Sequence, residues 1–285
     1  MPELPEVETV RRGLERRFVG RRIERVEVGR DRTVRRTSGD AVINGLTGVT
    51  ALAAQRRGKY LICPLDSGDS LMIHLRMTGR VLIVASSTPR PPHTHVVLHL
   101  ATNGIDAHEP DELRFVDPRT FGEVVVYDPD NAAVEMPELA RLGVDPITDG
   151  LTRAQLAILV RGRSRQLKAM LLDQSVIAGI GNIYADEILH AARLRHDRVS
   201  NSLRPVDITR LHDAIHTTLN AAIEAGGSTL RDTQYVDIEG EGGWFQVSHR
   251  VYDREGQPCI TCGRAVIRKV VSAGRATSFC PRCQR

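Results

Sequence analysis

Lysine is nearly absent from this chain. Of its 39 basic residues, three are lysines (Lys59, Lys168 and Lys269) and the other 36 are arginines. A high-GC genome gives that bias without selection for function, although the planar guanidinium fork also suits phosphate. No stretch approaches the roughly eighteen apolar residues of a membrane span, so a membrane partner is not expected. The first ten residues, MPELPEVETV, carry acids and prolines where a signal peptide carries bases and then an apolar core. A cytoplasmic location is therefore expected. In that compartment five cysteines do not make a disulfide framework. There is no internal repeat and no low-complexity tract.

What is present fits an ordinary globular protein: 285 residues, 41% apolar, 26% charged, net charge +4. That length accommodates two domains with cores of their own. Pro5, followed by Val7, Val10, Leu14 and Phe18 at helical spacing, predicts an opening helix that Gly20 stops. From residue 23 to 127 the pattern is β, with runs such as IERVEV, KYLICPL, SLMIHL, RVLIV, HVVLHL and EVVVY between turn residues. Asn103-Gly104 is a hairpin candidate. Residues 131–150 read as a linker rich in Pro, Asp and Gly. Helices are expected at 151–160, at 166–172, after Asn182, and at 207–225 with Asp207 as cap and Gly226 beyond the end. Short strands return around the last cysteines. The expected division is a catalytic β domain over 1–130, the linker, a helical domain over 151–240 and a ribbon module over 241–285.

Cys259-x-x-Cys262 and Cys280-x-x-Cys283 enclose seventeen residues with Gly274 near the middle. Each CxxC directs two thiolates at one ion, and two pairs close a tetrahedron, which is the pattern of a zinc ribbon. Four sulfur ligands leave no open position, so one structural zinc is expected, steadying the hairpin that carries Arg275. Cys63 lies alone in an apolar strand and reads as a small buried residue.

The segment PELPEVE admits two readings. Pro2, Glu3 and Pro5 can simply begin a helix. Alternatively, removal of Met1 leaves Pro2 with a secondary amine whose pKa is close to 8, so a useful fraction is neutral. Such an amine can attack a sugar C1′ and form an iminium, with Glu3 beside it as general acid.

MPELPEVETVRRGL resembles the start of the bacterial formamidopyrimidine-DNA glycosylases, the 8-oxoguanine repair enzymes. The resemblance continues in order through RRGKY, HLRMTG, DPRTFG, LLDQSVIAGIGNIYADE, GGSTLRD and SFCPRCQ, covering essentially the whole chain. It implies an α+β fold: an N-terminal helix on a two-layer β-sandwich, a helical domain with a helix–two-turn–helix motif, and a C-terminal zinc ribbon. It implies DNA repair by a bifunctional glycosylase and AP lyase, excising 8-oxoguanine and formamidopyrimidines through a Schiff base at Pro2, followed by β,δ-elimination. Glu3 becomes the proton donor, Lys59 the lysine of β-elimination, and Arg275 the arginine of δ-elimination and phosphate clamping. Read unaided, Lys59 is a strand-edge lysine.

A base inside a duplex is unreachable, so such enzymes rotate the nucleotide out and fill the gap. The resemblance assigns that filling to Met77, Arg119 and Phe121; read unaided, Met77 and Phe121 are core residues. It places Lys168 and Arg163 facing the DNA strand, and His93 and Asn182 on phosphate. Asn182 is by itself a good helix cap. His74 and Glu6 are expected to support the site. The stretch 231–246 corresponds to the loop over the extruded base but is longer than the usual pattern, with Gln234, Tyr235 and Trp244 as local features. The expected partner is damaged double-stranded DNA, bound by a monomer associated with the bacterial nucleoid. Two alternatives stand: an endonuclease VIII-like enzyme for oxidised pyrimidines, and a catalytically inactive DNA-binding relative.

Overall fold

Apolar residues three and four apart force the first helix to bury one face. In the structure, a computed structural model that describes residues 1–101, 111–230, 235–272 and 274–285, this helix is α1 (Leu4–Arg17). Val7, Val10, Leu14 and Phe18 are fully buried. Arg16 and Arg17 occupy the last turn, where cations complement the helix dipole. The Asn103-Gly104 candidate and Gln234 lie outside the described residues.

The chain then builds β1 (Ile23–Val28), α2 (Gly39–Leu46), β2 (Gln55–Arg57), β3 (Tyr60–Pro64), β4 (Ser70–His74), β5 (Arg80–Val84), β6 (Thr94–Leu100), β7 (Glu112–Val116) and β8 (Glu123–Tyr127). Two antiparallel four-stranded sheets result, in the orders β1-β6-β7-β5 and β2-β3-β4-β8. Both sheets and α1 contribute to one core that includes Leu14, Leu61, Ile73, Ile83, Leu98 and Phe115. The two-layer sandwich on an N-terminal helix is thus as expected. Sequence reading missed β7, whose ELRFV mixes charge into a fully buried strand. Arg114 is tolerated there because its Nε donates to Glu112 Oε2 at 2.6 Å and its Nη2 donates to the Thr88 carbonyl at 2.8 Å. It also missed α2, which opens on glycine and is capped by Ser38 accepting from the Ala41 N–H at 3.1 Å.

The chain divides into two compact units, Met1–Ala140 with Gly226–Trp244, and Arg141–Ala225 with Phe245–Arg285. Residues expected in the helical region up to 240 therefore partly rejoin the first unit. The Ile83 N–H donates to the Ile238 carbonyl at 2.8 Å. Gly13 leaves room for Ile238, whose Cγ1 would lie 2.6 Å from a Cβ at that position. The expected linker holds two single-turn helices, α3 (Ala132–Glu135) and α4 (Pro137–Ala140), in the first unit.

The second unit contains α5 (Arg153–Arg161), α6 (Leu167–Leu172), α7 (Asn182–Ala191) and α8 (Pro205–Glu224), then the hairpin β9 (Arg268–Ser272) and β10 (Arg275–Phe279). Two expected caps shift. Helix α8 starts at Pro205 with Arg204 as cap, because proline fits the first helical position. Asp207 is the third helical residue and accepts from the Arg204 N–H at 3.2 Å. Helix α7 is preceded by Gly181, so Asn182 is its first residue and not its cap. Gly226, in the left-handed region (φ +72°), ends α8 as expected. No helix among the described residues is long and apolar enough to cross a membrane.

Candidate active site and nucleic-acid interface

In the first unit, Pro2 and Glu3 are buried at the N-terminus of α1. The positive end of the helix dipole disfavours an ammonium there, which favours a neutral amine once Met1 is absent. Glu6 organises this corner. Its Oε2 accepts from the Glu3 N–H at 2.8 Å and its Oε1 accepts from the Ser228 N–H at 2.7 Å. The Tyr235 hydroxyl donates to the Glu6 carbonyl at 3.2 Å. Gly227 (φ +83°) is required beside it, since a Cβ would lie 2.8 Å from Glu6 Cγ. Tyr235 is therefore a buried anchor, whereas Trp244 is exposed.

Lys59 occupies the two-residue turn between β2 and β3, after Gly58 at φ +57°. It is only 6% exposed, so it is not the solvated strand-edge lysine of an unaided reading. The turn is tied to α1 through Arg56, whose Nη1 donates to the Gly58 carbonyl and whose Nε donates to Glu8 Oε2, both at 3.0 Å. Burial pushes Glu8 up, but Arg11 and Arg56 overcome this and hold its carboxyl below the usual range. His74 is buried edge-on to Tyr60, with ring centroids 4.3 Å apart. Burial, then the charges of Arg76 and Lys59, push its pKa well down. The neutral ring accepts from the Arg76 N–H at its Nδ1, at 3.0 Å, setting the start of the loop that carries Met77.

Met77 is half-buried, Arg119 is exposed and Phe121 is 38% exposed, so none of the three is a core residue. The Arg119 guanidinium lies over the Phe121 ring, 4.9 Å from its centroid. One residue that sequence reading passed over ties these loops together. Asp117 is fully buried. Its Oδ1 accepts from the Arg119 N–H at 3.2 Å and from the Thr78 hydroxyl, and its Oδ2 accepts from the Gly122 N–H at 2.7 Å. Its own N–H donates to the His93 carbonyl at 3.0 Å. His93, Arg76 and Thr120 all adopt positive φ without being glycine, as strained loops at functional sites do. The only signal available in the sequence was the aspartate that opens DPRTFG.

In the second unit, Asn182 stands at the start of α7 with a buried Oδ1 that has no hydrogen-bond partner. Arg163 is half-buried, and its Nη1 donates to the Leu159 carbonyl at 3.3 Å, closing the end of α5. Arg275 is exposed at the first position of β10. Lys168 departs from expectation. It is fully buried, and Nζ donates to Asp186 Oδ1 at 2.6 Å, to Thr277 Oγ1 at 2.8 Å and to the Ala276 carbonyl at 2.9 Å. Three donors on three acceptors leave none for a DNA strand, so the expected strand contact is corrected to an internal one. Burial pushes the Asp186 carboxyl up to about 7, against the pull of Lys168. Asp186 Oδ2 also accepts from the Ser278 N–H at 2.8 Å. Lys168→Met is accordingly expected to lower stability to urea by about 3 kcal/mol, the cost of breaking a buried pair. A solvated lysine would move it by no more than about 0.5 kcal/mol.

The four cysteine sulfurs lie within 4.8 Å of one another. Cys259–Cys283 and Cys262–Cys280 are each 3.8 Å apart. A tetrahedron with Zn–S near 2.3 Å has edges of about 3.8 Å, so the donor set fits one structural zinc. Gly274 turns the hairpin at φ +69°. Glu187 accepts from the N–H groups of Arg250, Val251 and Tyr252 at 2.8–2.9 Å, holding the segment that leads into the ribbon.

The formamidopyrimidine-DNA glycosylase N-terminal domain family matches residues 1–124, and that enzyme's H2TH domain family matches 142–234. The zinc finger found in FPG and IleRS matches 256–285. The chain is similar to the formamidopyrimidine-DNA glycosylase of Geobacillus kaustophilus, with 44% identity over 286 residues and all of both chains covered. It is similar to that of Desulfitobacterium hafniense, with 41% identity over 284 residues and again full coverage of both. Among solved structures it is similar to the Lactococcus lactis Fpg in complex with DNA containing an abasic site, with 35% identity, a TM-score of 0.87 and 99% of each chain covered. A Lactococcus lactis mutant with DNA containing Fapy-dG matches at 35% identity and a TM-score of 0.88, over the whole of both chains.

Proposed function

The chain belongs to the formamidopyrimidine-DNA glycosylase family and is a DNA glycosylase for oxidised purines with AP lyase activity, and we propose that Pro2 is its nucleophile. The observation that carries this reading is the buried Pro2–Glu3 corner at the positive end of α1, braced by Glu6. The Pro2 nitrogen lone pair forms a bond to the sugar C1′ as the damaged base leaves. The nitrogen's N–H proton passes to the departing base, and the nitrogen pair then expels the ring oxygen, which Glu3 protonates, leaving an iminium. Loss of a C2′ proton, in which Lys59 takes part, expels the 3′ phosphate. A second elimination expels the 5′ phosphate, with Arg275 on the departing oxygens.

Met77, Arg119 and Phe121 are read as the side chains that fill the gap left by the rotated nucleotide; their exposure supports this. Asn182, His93 and Arg163 are read as phosphate contacts. Lys168 becomes a positioning residue for the strand that begins at Arg275. The bound zinc supplies no chemistry and steadies the ribbon. DNA is the partner. The protein acts as a monomer in the bacterial cytoplasm, at the nucleoid. Its working parts are a catalytic unit, Met1–Ala140 with Gly226–Trp244, and a DNA-binding unit, Arg141–Ala225 with Phe245–Arg285, that includes the ribbon.

Borohydride trapping on a pre-formed abasic site tests the nucleophile. Protein with Pro2 as its first residue is expected to give a covalent adduct, and protein retaining Met1 none, because Pro2 is then an amide. An adduct of equal yield from the Met1-retaining protein would move the nucleophile elsewhere.

A further inference from the structure

We propose that the second unit carries an additional phosphate-binding site, at the end of α7 opposite Asn182. Ten helical residues separate the two ends by about 15 Å. At this far end lies a cavity of about 520 Å³ lined by Arg193, Arg198, Arg204, Arg210, Arg282 and Arg285, together with Cys262 and Cys283, and by no aspartate or glutamate.

The local backbone brings these groups together. Helix α7 closes with two bonds, from the Arg193 N–H to the His190 carbonyl and from the Leu194 N–H to the Leu189 carbonyl, both at 3.0 Å. That pattern places its hinge residue in the left-handed region, where glycine is the usual choice. Here the hinge is Arg193, at φ +58°. The chain thus bears backbone strain that a glycine would relieve, and gains a guanidinium at the pocket. The final residues are sewn to the same turn, with the Arg285 N–H on the Arg193 carbonyl at 3.2 Å and Gln284 Nε2 on the Leu194 carbonyl at 3.0 Å. This brings Arg282 and Arg285 alongside.

Charge balance then points to an anion. Asp207 binds Arg198 Nη2 at 2.7 Å, Arg204 Nε at 3.1 Å and Arg210 Nη2. A zinc tetrathiolate carries two negative charges. Set against the six guanidinium charges around the cavity, these three negative charges leave a surplus of positive charge. Moreover, Arg210 Nε is buried without a hydrogen-bond partner. Arginines that merely solvate a surface have no need to converge, and a buried unpaired guanidinium N–H is costly. Several forks around one cavity suit the tetrahedral oxygens of a phosphoryl group, supplied either by free phosphate or by the backbone of a second nucleic-acid segment.

The test uses the full, zinc-loaded chain. Its melting temperature is followed in rising inorganic phosphate against sodium chloride at equal ionic strength. The wild type is expected to show a saturable rise in phosphate beyond that in chloride, and Arg275→Ala to keep it. Arg193→Gly should melt higher than wild type without phosphate, because the strain is gone. Its phosphate response, and that of Arg193→Gly with Arg282→Ala, should require at least tenfold more phosphate. A wild type that responds equally to both salts overturns the site, as does an Arg193→Gly/Arg282→Ala protein with the full response. The source is read in a second arm. Protein saturated with an abasic-analogue duplex is offered a labelled undamaged duplex. Capture that the double variant loses names the nucleic-acid backbone; no capture alongside the phosphate response names the free anion.

Discussion

Glu3→Gln, in protein freed of Met1, is expected to lower excision of 8-oxoguanine by about a hundredfold to ten-thousandfold, the range carried by a general acid. Gln is nearly isosteric with Glu and keeps a carbonyl acceptor, so the start of α1 should be preserved. The brace is independent of the substituted side chain, since Glu6 grips the Glu3 main-chain N–H and the Ser228 N–H. Binding to a duplex with a stable abasic analogue should consequently change by less than about threefold. Single-turnover excision and equilibrium binding, measured on one preparation, separate the two effects. If excision runs at the wild-type rate, Glu3 is not the proton donor. If excision and binding fall together, the residue serves the structure of the corner.

The same corner shows what sequence could and could not convey. PELPEVE and the paired CxxC knuckles are local signals, in which the residues that act together are close in the chain. The elements built on them were legible: α1, the hairpin around Gly274 and the four-sulfur cluster. Glu6 was a suspected helper, but its partners Ser228 and Tyr235 lie more than 220 residues away, and no periodicity announces such a return. Asp117 was invisible for a related reason. Its work is to hold Thr78, Arg119, Gly122 and His93 at once, through bonds that a linear pattern does not contain. Lys168 was misread because a basic residue was taken to face outward. Charge alone does not say whether a counter-charge waits inside, and Asp186 does. Strand β7 was lost in the same way, its Glu112–Arg114 pair hiding a fully buried segment.

Removing the zinc, by chelation or by Cys262→Ser, is expected to unfold the ribbon and leave the first unit intact. The ribbon's own core is Val251, Cys259, Ile267 and Cys280, too little apolar surface to hold some thirty residues without metal. The sandwich has a separate and much larger core. Within the second unit the damage should spread inward, because Lys168 and Asp186 lose the Ala276 carbonyl, the Thr277 hydroxyl and the Ser278 N–H together. Amide exchange at Ser278 and Cys280 should rise to nearly that of an open chain, while β3 and β4 stay protected. Arg275→Ala supplies the comparison. It keeps the metal and the hairpin, and should lower the salt dependence of DNA binding by about one phosphate contact, a slope change of about 0.9. Zinc removal should cost at least that much slope and more affinity, since it removes the platform along with the guanidinium. DNA affinity unchanged in a demonstrably zinc-free protein would take the ribbon out of the interface, and Arg275 with it. A zinc-free protein that matched Arg275→Ala in both affinity and slope would reduce the ribbon's share of binding to that one side chain.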